Sequence, residues 1–307
     1  MTYNKDYHIL KLDLNEEEDI QFNRQKSIED SELLKYCKTT PLHINCENND
    51  FDMISHLLIT YKDQLNVNEL DYLGNSPFHC IFNEKYLSEI AIYIIEFLLL
   101  HNGNINITNK YGETPLHLCC KFPFIKITEF LIYKNCNIDV RDKFGKTPLM
   151  YACECGQIEQ VITLIENNAD VNVKDSTYKP LHILCLSNYD NVVTQINIAH
   201  LLIDNDADIN TRHSCFLYTP LHCAVMKDNI YLTEFLLYKG ADPNIPQVLG
   251  NIPLHVTSSI SIAQLLVKYK SKLDHKNDNN IIPALAHKNK NNEIYEYLNS
   301  NPQDSSV

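Results

Sequence analysis

Six of the 13 histidines recur in one context, as the fourth residue of a short phrase that reads Thr-Pro-Leu-His or a close variant. An imidazole can bind a transition metal or act as a general base, so a repeated histidine is the first candidate for chemistry in this chain. The six are His43, His79, His117, His182, His222 and His255. Such a site requires its side chains to converge on one point, and successive members of this set are 33 to 65 residues apart.

The cysteines are the second candidates. Among the 11 cysteines, Cys119-Cys120 and Cys153-x-Cys155 are close enough in sequence to suggest a zinc or redox site. Neither pair has the Cys-x-x-Cys spacing of structural zinc, and no phosphate-binding or catalytic motif is present. Cys119 takes the place that Ala152 has in another copy of the phrase, so we expect a small buried residue there. The sequence predicts no metal, no cofactor and no catalytic residue.

The histidines belong to a repeated helix-start signal that occurs eight times. Thr or Ser caps a helix well, Pro fits the first helical position, and His at the third position can reach back to the cap as Glu does in a capping box. Lys179, Ile252 and Ile282 replace the capping hydroxyl, whereas Met150 and Leu285 replace the histidine. Each copy is expected to begin a helix at its proline, namely Pro41, Pro77, Pro115, Pro148, Pro180, Pro220, Pro253 and Pro283.

A second signal follows each copy: an apolar run that closes in a polar turn at an Asn or Asp. The commonest distance from the motif proline to that residue is 24 residues, and nine more usually lead to the next proline, so the modal unit has 33 residues. Units two and five are longer before the turn. We expect their extra residues in polar loops near 83–88 and 187–195, between the two helices of a unit.

Together these features resemble the ankyrin repeat, in which Thr-Pro-Leu-His opens one helix, Leu-Leu lies in a second, and Gly-Ala-Asp-x-Asn follows. The resemblance covers roughly residues 39–299. It implies an all-α ankyrin-repeat solenoid of about eight helix–turn–helix units, joined by β-hairpin-like fingers, with a degenerate last unit as a cap. Stacking would place the histidines in a column, one per unit, so they are expected to be structural.

Glycines are expected where the turns require positive φ. Gly103 and Gly240 follow Leu-rich helices, where a left-handed residue commonly ends a helix. Four others lie three residues before a motif proline, in the finger turn: Gly74, Gly112, Gly145 and Gly250.

The composition restricts the kind of partner. The chain has 39 acidic and 26 basic residues, a formal charge of −13, which argues against nucleic acid or an anionic membrane. No apolar stretch is long enough to span a bilayer, and residues 1–12 have no secretory core. With its unpaired cysteines, the chain is expected to be a cytoplasmic monomer in a reducing compartment, or to act in a host cell if it is an effector.

Two segments lie outside the repeats. Residues 1–38 form an acidic N-terminal extension that we expect to be partly flexible, and residues 300–307 a disordered tail. The acidic run at 13–19 is interpreted as a solvated arm, with contact to a basic partner as the alternative.

Ankyrin-like stacks bind partners along a concave face that is lined by the fingers and the first helices. The residues just before each finger glycine would project from the tips, and large apolar side chains there resemble interface anchors. The candidate partner-binding residues are Tyr72, Leu73, Lys110, Tyr111, Lys143, Phe144, Phe216 and Leu249. The alternative is that Tyr111 and Phe144 pack on neighbouring fingers.

The resemblance implies a non-enzymatic scaffold that binds a partner protein on the fingers and inner helices. A host-directed effector of an intracellular bacterium or virus, acting by binding host proteins, is compatible with the abundance of Asn, Ile and Lys. An enzyme with its site in a repeat insertion, such as 187–195, is a third possibility of a different class, but that segment has no nucleophile–base pair.

Overall fold

The computed structural model describes residues 39–61, 64–82, 90–174, 176–188 and 191–300. These ranges contain sixteen helices and no strand. In chain order they are α1 Pro41–Glu47, α2 Phe51–Thr60, α3 Pro77–Cys80, α4 Ile90–Leu100, α5 Pro115–Cys119, α6 Ile125–Tyr133, α7 Pro148–Glu154, α8 Ile158–Glu166, α9 Pro180–Leu186, α10 Val192–Asp204, α11 Pro220–Met226, α12 Ile230–Tyr238, α13 Pro253–Val256, α14 Ile260–Lys268, α15 Pro283–His287 and α16 Asn292–Ser300.

The helices form eight pairs, and every odd-numbered helix begins at a motif proline. We call the odd-numbered helices inner helices and the even-numbered ones outer helices. Each inner helix packs against the inner helices of the neighbouring units, and in seven of the eight units it also packs against its own outer helix. The predicted all-α repeat solenoid is therefore confirmed.

One apolar core runs through the stack. The motif leucine turns inward in each unit that has one, and Leu116, Leu149 and Leu254 are at most 1% exposed. The outer helices contribute a second layer of fully buried residues, such as Val161 and Leu202. Since each unit buries its apolar side chains against its neighbours, the core grows by repetition.

The residues that close the polar turns connect neighbouring units. The side chain of Asn172 accepts a hydrogen bond from the Asp208 N–H (2.9 Å) and donates one to the Asp206 carbonyl (2.7 Å). The same side-chain acceptor contact to the next unit's backbone N–H recurs five more times, from Asn68 to Asn104, Asn106 to Asn137, Asp139 to Asp170, Asn210 to Asp242 and Asn244 to Lys272. This ladder holds successive units in register.

The glycines confirm most of the turn predictions. The four finger glycines have φ between 73° and 81°, and Gly240 has φ 98°. The prediction for Gly103 was wrong, because the left-handed residue in that turn is Asn102, with φ 66°. Gly103 is instead a point of close approach, since an added Cβ would lie 2.6 Å from the ring of Phe78.

The extra residues of unit five lengthen an outer helix. Helix α10 has 13 residues, whereas α6, α8, α12 and α14 have nine each. Asn191 caps α10 by accepting a hydrogen bond from the Thr194 N–H at 3.1 Å, which begins the helix one turn early. The predicted loop over 187–195 was therefore wrong for residues 192–195. The predicted loop near 83–88 and the predicted terminal segment 1–38 lie outside the described residues.

Candidate functional site

The motif histidines bridge each unit to the next. Nδ1 of His117 accepts a hydrogen bond from the Thr114 N–H (3.0 Å), as predicted, and its Nε2 lies 3.2 Å from the Lys146 carbonyl oxygen in the following unit. The same Nε2 contact, at 2.9 to 3.1 Å, joins His43 to Asn75, His79 to Glu113, His182 to Tyr218, His222 to Asn251 and His255 to Ile281. These two contacts select a neutral imidazole with its hydrogen on Nε2.

Burial makes these imidazoles poor proton acceptors. It lowers the pKa of His79, His182 and His222 to about 4, against the smaller opposing effect of the hydrogen bond to the next unit's carbonyl. The other three motif histidines shift in the same direction for the same reason. With both ring nitrogens engaged, and each ring in a different unit, the set is structural. Within the described ranges, no cluster of three His, Cys, Asp or Glu side chains could hold a metal ion.

Unit four is the exception to this bridge. Met150 replaces the histidine and packs in a small apolar cluster with Val173 and Ile183. The Thr147 hydroxyl is consequently buried without a hydrogen-bond partner, whereas the Thr114 hydroxyl lies 2.8 Å from Nδ1 of His117. A buried hydroxyl that lacks a partner destabilises the fold by roughly 1–3 kcal/mol.

Three of the four cysteine candidates are core residues, and the fourth, Cys155, is partly buried. Cys119, Cys120 and Cys153 are completely buried, and burial raises the pKa of the Cys119 thiol to about 12. The Cys119 sulfur lies 3.1 Å from the Thr128 hydroxyl. Since a nucleophilic or metal-binding cysteine needs an accessible thiolate, these thiols are unsuited to either role.

The fingertip residues are exposed. Tyr72 is 63% exposed, Tyr111 47% and Phe144 71%. Lys110 and Lys143, which precede Tyr111 and Phe144, are exposed as well. The remaining candidates, Leu73, Phe216 and Leu249, are also exposed. All eight residues therefore lie at the surface, which is a requirement for partner binding but does not by itself demonstrate it.

Side chains two residues before the tips hold the finger turns. Asp142 Oδ1 accepts hydrogen bonds from the N–H groups of Phe144 and Lys146, both at 2.8 Å. Asn109 does the same for Tyr111 and Gln247 for Leu249. The sequence analysis missed these positioning residues. An Asn or Asp three residues before a turn glycine, such as Asp142 before Gly145, is nevertheless a known turn signal, because its side chain accepts a hydrogen bond from the backbone two residues further on.

Neighbouring fingertips are joined through their backbones. The Lys143 N–H donates to the Tyr111 carbonyl at 2.8 Å, and the Val248 N–H donates to that of Phe216 at 3.0 Å. The Tyr111 and Phe216 tips are therefore each tied to the next finger through a main-chain hydrogen bond. Such a surface loses little conformational entropy when a partner binds.

A buried polar cluster lies beneath two of the tips. The Tyr151 hydroxyl lies 2.7 Å from Asp142 and 3.1 Å from Glu113, and Lys121 forms an ion pair with Glu113 at 2.7 Å. Burial alone would raise the pKa of Glu113, but the hydrogen bonds from Lys121 and Asn109 outweigh it and lower that pKa. The cluster favours the ionised form of Glu113 and joins the third and fourth units.

The family assignment follows from a comparison with known families. The family model described as ankyrin repeats (3 copies) matches residues 89–175 and 176–247, together more than half of the chain. The chain belongs to the ankyrin repeat family. None of the helices in the described ranges has the length and apolar character needed to cross a bilayer.

Other ankyrin repeat proteins resemble the chain more distantly. An ankyrin repeat protein of Rickettsia felis is 43% identical over 61 residues, which cover 17% of this chain and 26% of the relative's length. The crystal structure of the human ASB11 ankyrin repeat domain has a TM-score of 0.61, 17% identity, and coverage of 86% of this chain and 99% of that one. The crystal structure of the ankyrin repeat domain of Bcl-3 has a TM-score of 0.61 and 20% identity, and the match covers 75% of this chain and 98% of that one. At these identities the two structures support the fold alone.

Proposed function

We propose that this ankyrin repeat protein is a non-enzymatic scaffold that captures a partner protein with its row of fingertips and the adjoining inner helices. The exposure of large apolar side chains on turns that are rigidly held carries the proposal. Interface anchors combine these two properties, since they bury apolar area and lose little entropy on binding. The candidate anchors are Tyr72, Tyr111, Phe144, Phe216 and Leu249.

Replacing Tyr111 and Phe144 together by Ser tests the proposal. The double variant should lose the proteins that the wild type captures reproducibly from the native cell lysate, as identified by mass spectrometry, with a melting temperature nearly unchanged. The matched control is the pair Tyr133→Ser and Tyr238→Ser, since these tyrosines are 73% and 76% exposed on outer helices. The control variant should retain the same proteins.

Two outcomes would count against the fingertip site. Early unfolding of the Tyr111/Phe144 variant would mean that these residues are needed for packing. Equal loss of partners in the outer-helix control would mean that exposed aromatic residues bind without regard to position. Turnover of a small molecule, in the absence of any reproducible protein partner, would contradict the scaffold itself.

The site of action is a further part of the proposal. Ten cysteines in the described ranges are free thiols, which favours a monomer in a reducing cytoplasm. A host-directed effector role is favoured only by the sequence composition, and would be tested by showing that a captured partner is a host protein.

A further inference from the structure

Three histidines meet at the interface between the seventh unit and the last one, where each unit begins with the finger that leads to its inner helix. Each of them donates from Nε2 to a backbone carbonyl of the facing unit. These contacts join His255 to Ile281 (3.0 Å), His275 to Gly250 (3.0 Å) and His287 to Leu254 (2.8 Å). Each of the other interfaces has at most one histidine that makes such a contact in the described ranges.

Protonation opposes docking at the two buried rings of this set. His255 and His287 are 5% and 2% exposed. Nδ1 of His255 accepts a hydrogen bond from the Ile252 N–H at 3.3 Å, so a proton on Nδ1 removes that bond and places two donors against each other. A charged imidazole that stays buried also lacks the hydration that an undocked ring would have.

The neighbouring groups add to the effect of burial. Burial is the main cause that lowers the pKa of His255 and His287, and the hydrogen bonds to the facing carbonyls oppose it less strongly. Lys290 lowers the pKa of His287 further, and His275 and His287 do the same for His255. The His275 ring packs edge-on against His255, with centroids 5.8 Å apart, and His222 of the sixth unit faces His255 from the other side of the stack.

Carboxylates do not offset this positive charge. Residues 243–273, which include the seventh unit's two helices, contain three lysines and no Asp or Glu. The four acidic side chains of residues 274–300 are all exposed, and none is among the main causes that set the pKa of His255 or His287. These four are Asp274, Asp278, Glu293 and Glu296.

We propose that the last unit undocks from the seventh in mild acid while the other units stay folded. A terminal unit packs against one neighbour only, so it can open without the rest of the stack. Its inner helix buries Ala284 where most other units bury a leucine, so less apolar area holds it in place. Undocking does not require the proposed function, because the fingertip anchors all lie before the last unit.

The direction of the pH dependence follows from the lowered pKa of the two buried rings. The docked unit binds fewer protons than the undocked unit once the pH is below about 6.5, the ordinary value of a histidine. The stabilisation of docking by neutral rings is therefore fully present above about pH 6.5 and is lost as the pH falls below it.

Hydrogen exchange of the full-length protein, corrected for the intrinsic pH dependence of amide exchange, tests the proposal. Between about pH 6.5 and about pH 5.5, the equilibrium constant for opening of residues 283–300 should rise by up to about tenfold for each buried ring, or up to about 100-fold in all. Helix α7 of the fourth unit should remain protected at the lower pH. Protection of residues 283–300 that does not change with pH would overturn the proposal, as would loss of protection in both regions together.

Substitution of the two rings provides the second measurement. In a His255→Gln, His287→Gln variant, which retains a side-chain N–H donor at each position, the pH dependence of opening of residues 283–300 should be smaller by about two protons. His56→Gln is the matched control, because His56 is exposed on α2, and it should leave that dependence unchanged. If the double variant is undocked already at neutral pH, His287→Gln alone should reduce the dependence by about one proton. A dependence equal to that of the wild type in these histidine variants would contradict the role of the two rings.

Discussion

At the scale of single residues, the motif histidine does more than cap its own helix. One ring nitrogen accepts from the cap residue and the other donates to a backbone carbonyl in the next unit, as in His79 and Glu113. The side chain thus fixes a helix start and a repeat interface at once. Unit four loses both contacts through Met150 and retains a threonine hydroxyl that has no partner.

Two matched threonine substitutions test this difference. Thr114→Val should destabilise the protein by about 1 kcal/mol, because it removes the hydroxyl that lies 2.8 Å from His117. Thr147→Val should be neutral or stabilising, since it replaces a buried hydroxyl that makes no hydrogen bond by a methyl group of similar size. Urea unfolding of both variants measures the free energies. Equal losses at the two positions would contradict the assigned role of His117.

At the scale of the helical unit, the turn after each outer helix needs one residue with positive φ, and different residue types take this position. The left-handed position is taken by Asn102, Asn135, Asn168, Asp206, Gly240 and Lys270 in six successive units. The next residue is small in most units, for example Ala169 or Ala207, and is Gly103 in unit two. The ring of Phe78 and the carbonyl oxygen of Leu98 explain that glycine, since they would lie 2.6 and 2.7 Å from an added Cβ.

A double-mutant cycle tests the link between Gly103 and Phe78. Gly103→Ala alone should destabilise the protein by roughly 1–3 kcal/mol through overpacking against the Phe78 ring. In a Phe78→Leu background, which restores the residue that most other units have, the same change should cost less, and the cost that remains reflects the Leu98 carbonyl oxygen, which would lie 2.7 Å from the added Cβ. The free energies of unfolding of all four proteins give the coupling energy between the two positions. Additive effects of the two substitutions would contradict the role assigned to Phe78.

The helix starts, the repeat period and the exposed tips could be read from the sequence, because each depends on residues close together in the chain. Pro115 begins a helix directly after its cap residue Thr114, and Gly112 needs positive φ in its own turn. The contact of Gly103 with Phe78, and that of Tyr151 with Glu113 and Asp142, depend on residues that meet only when units stack. Periodicity does not encode such pairs, so the sequence did not reveal them.

At the scale of the whole molecule, the histidines form a set of buried neutral groups that extends along the stack. In the folded protein the pKa of His79, His182 and His222 is about 4, against about 6.5 in the unfolded chain. The unfolded state therefore binds more protons than the folded state between these values. The stabilisation is fully present above pH 6.5 and is lost as the pH falls towards 4.

The pH dependence of unfolding tests this set. Between pH 6.5 and about 5, the free energy of unfolding should fall by up to about 1.4 kcal/mol per pH unit for each buried histidine, as measured by urea titration. A His79→Gln variant should show a slope that is smaller by about one proton. A stability that is constant over this range, or a slope that is unchanged in the variant, would contradict the neutral, bridged state of these rings.

The hydrogen bonds between neighbouring tips are made by the main chain, so they hold the fingers in place whichever side chains the tips carry. The Tyr111 carbonyl holds the next finger through a main-chain contact, which any residue except proline at position 143 could supply. Selection can therefore exchange the tip side chains without rebuilding the frame beneath them. Duplication or loss of a whole unit would then move the row by one fixed step, so under the proposed function new partners could arise through shifts of register as well as through single substitutions.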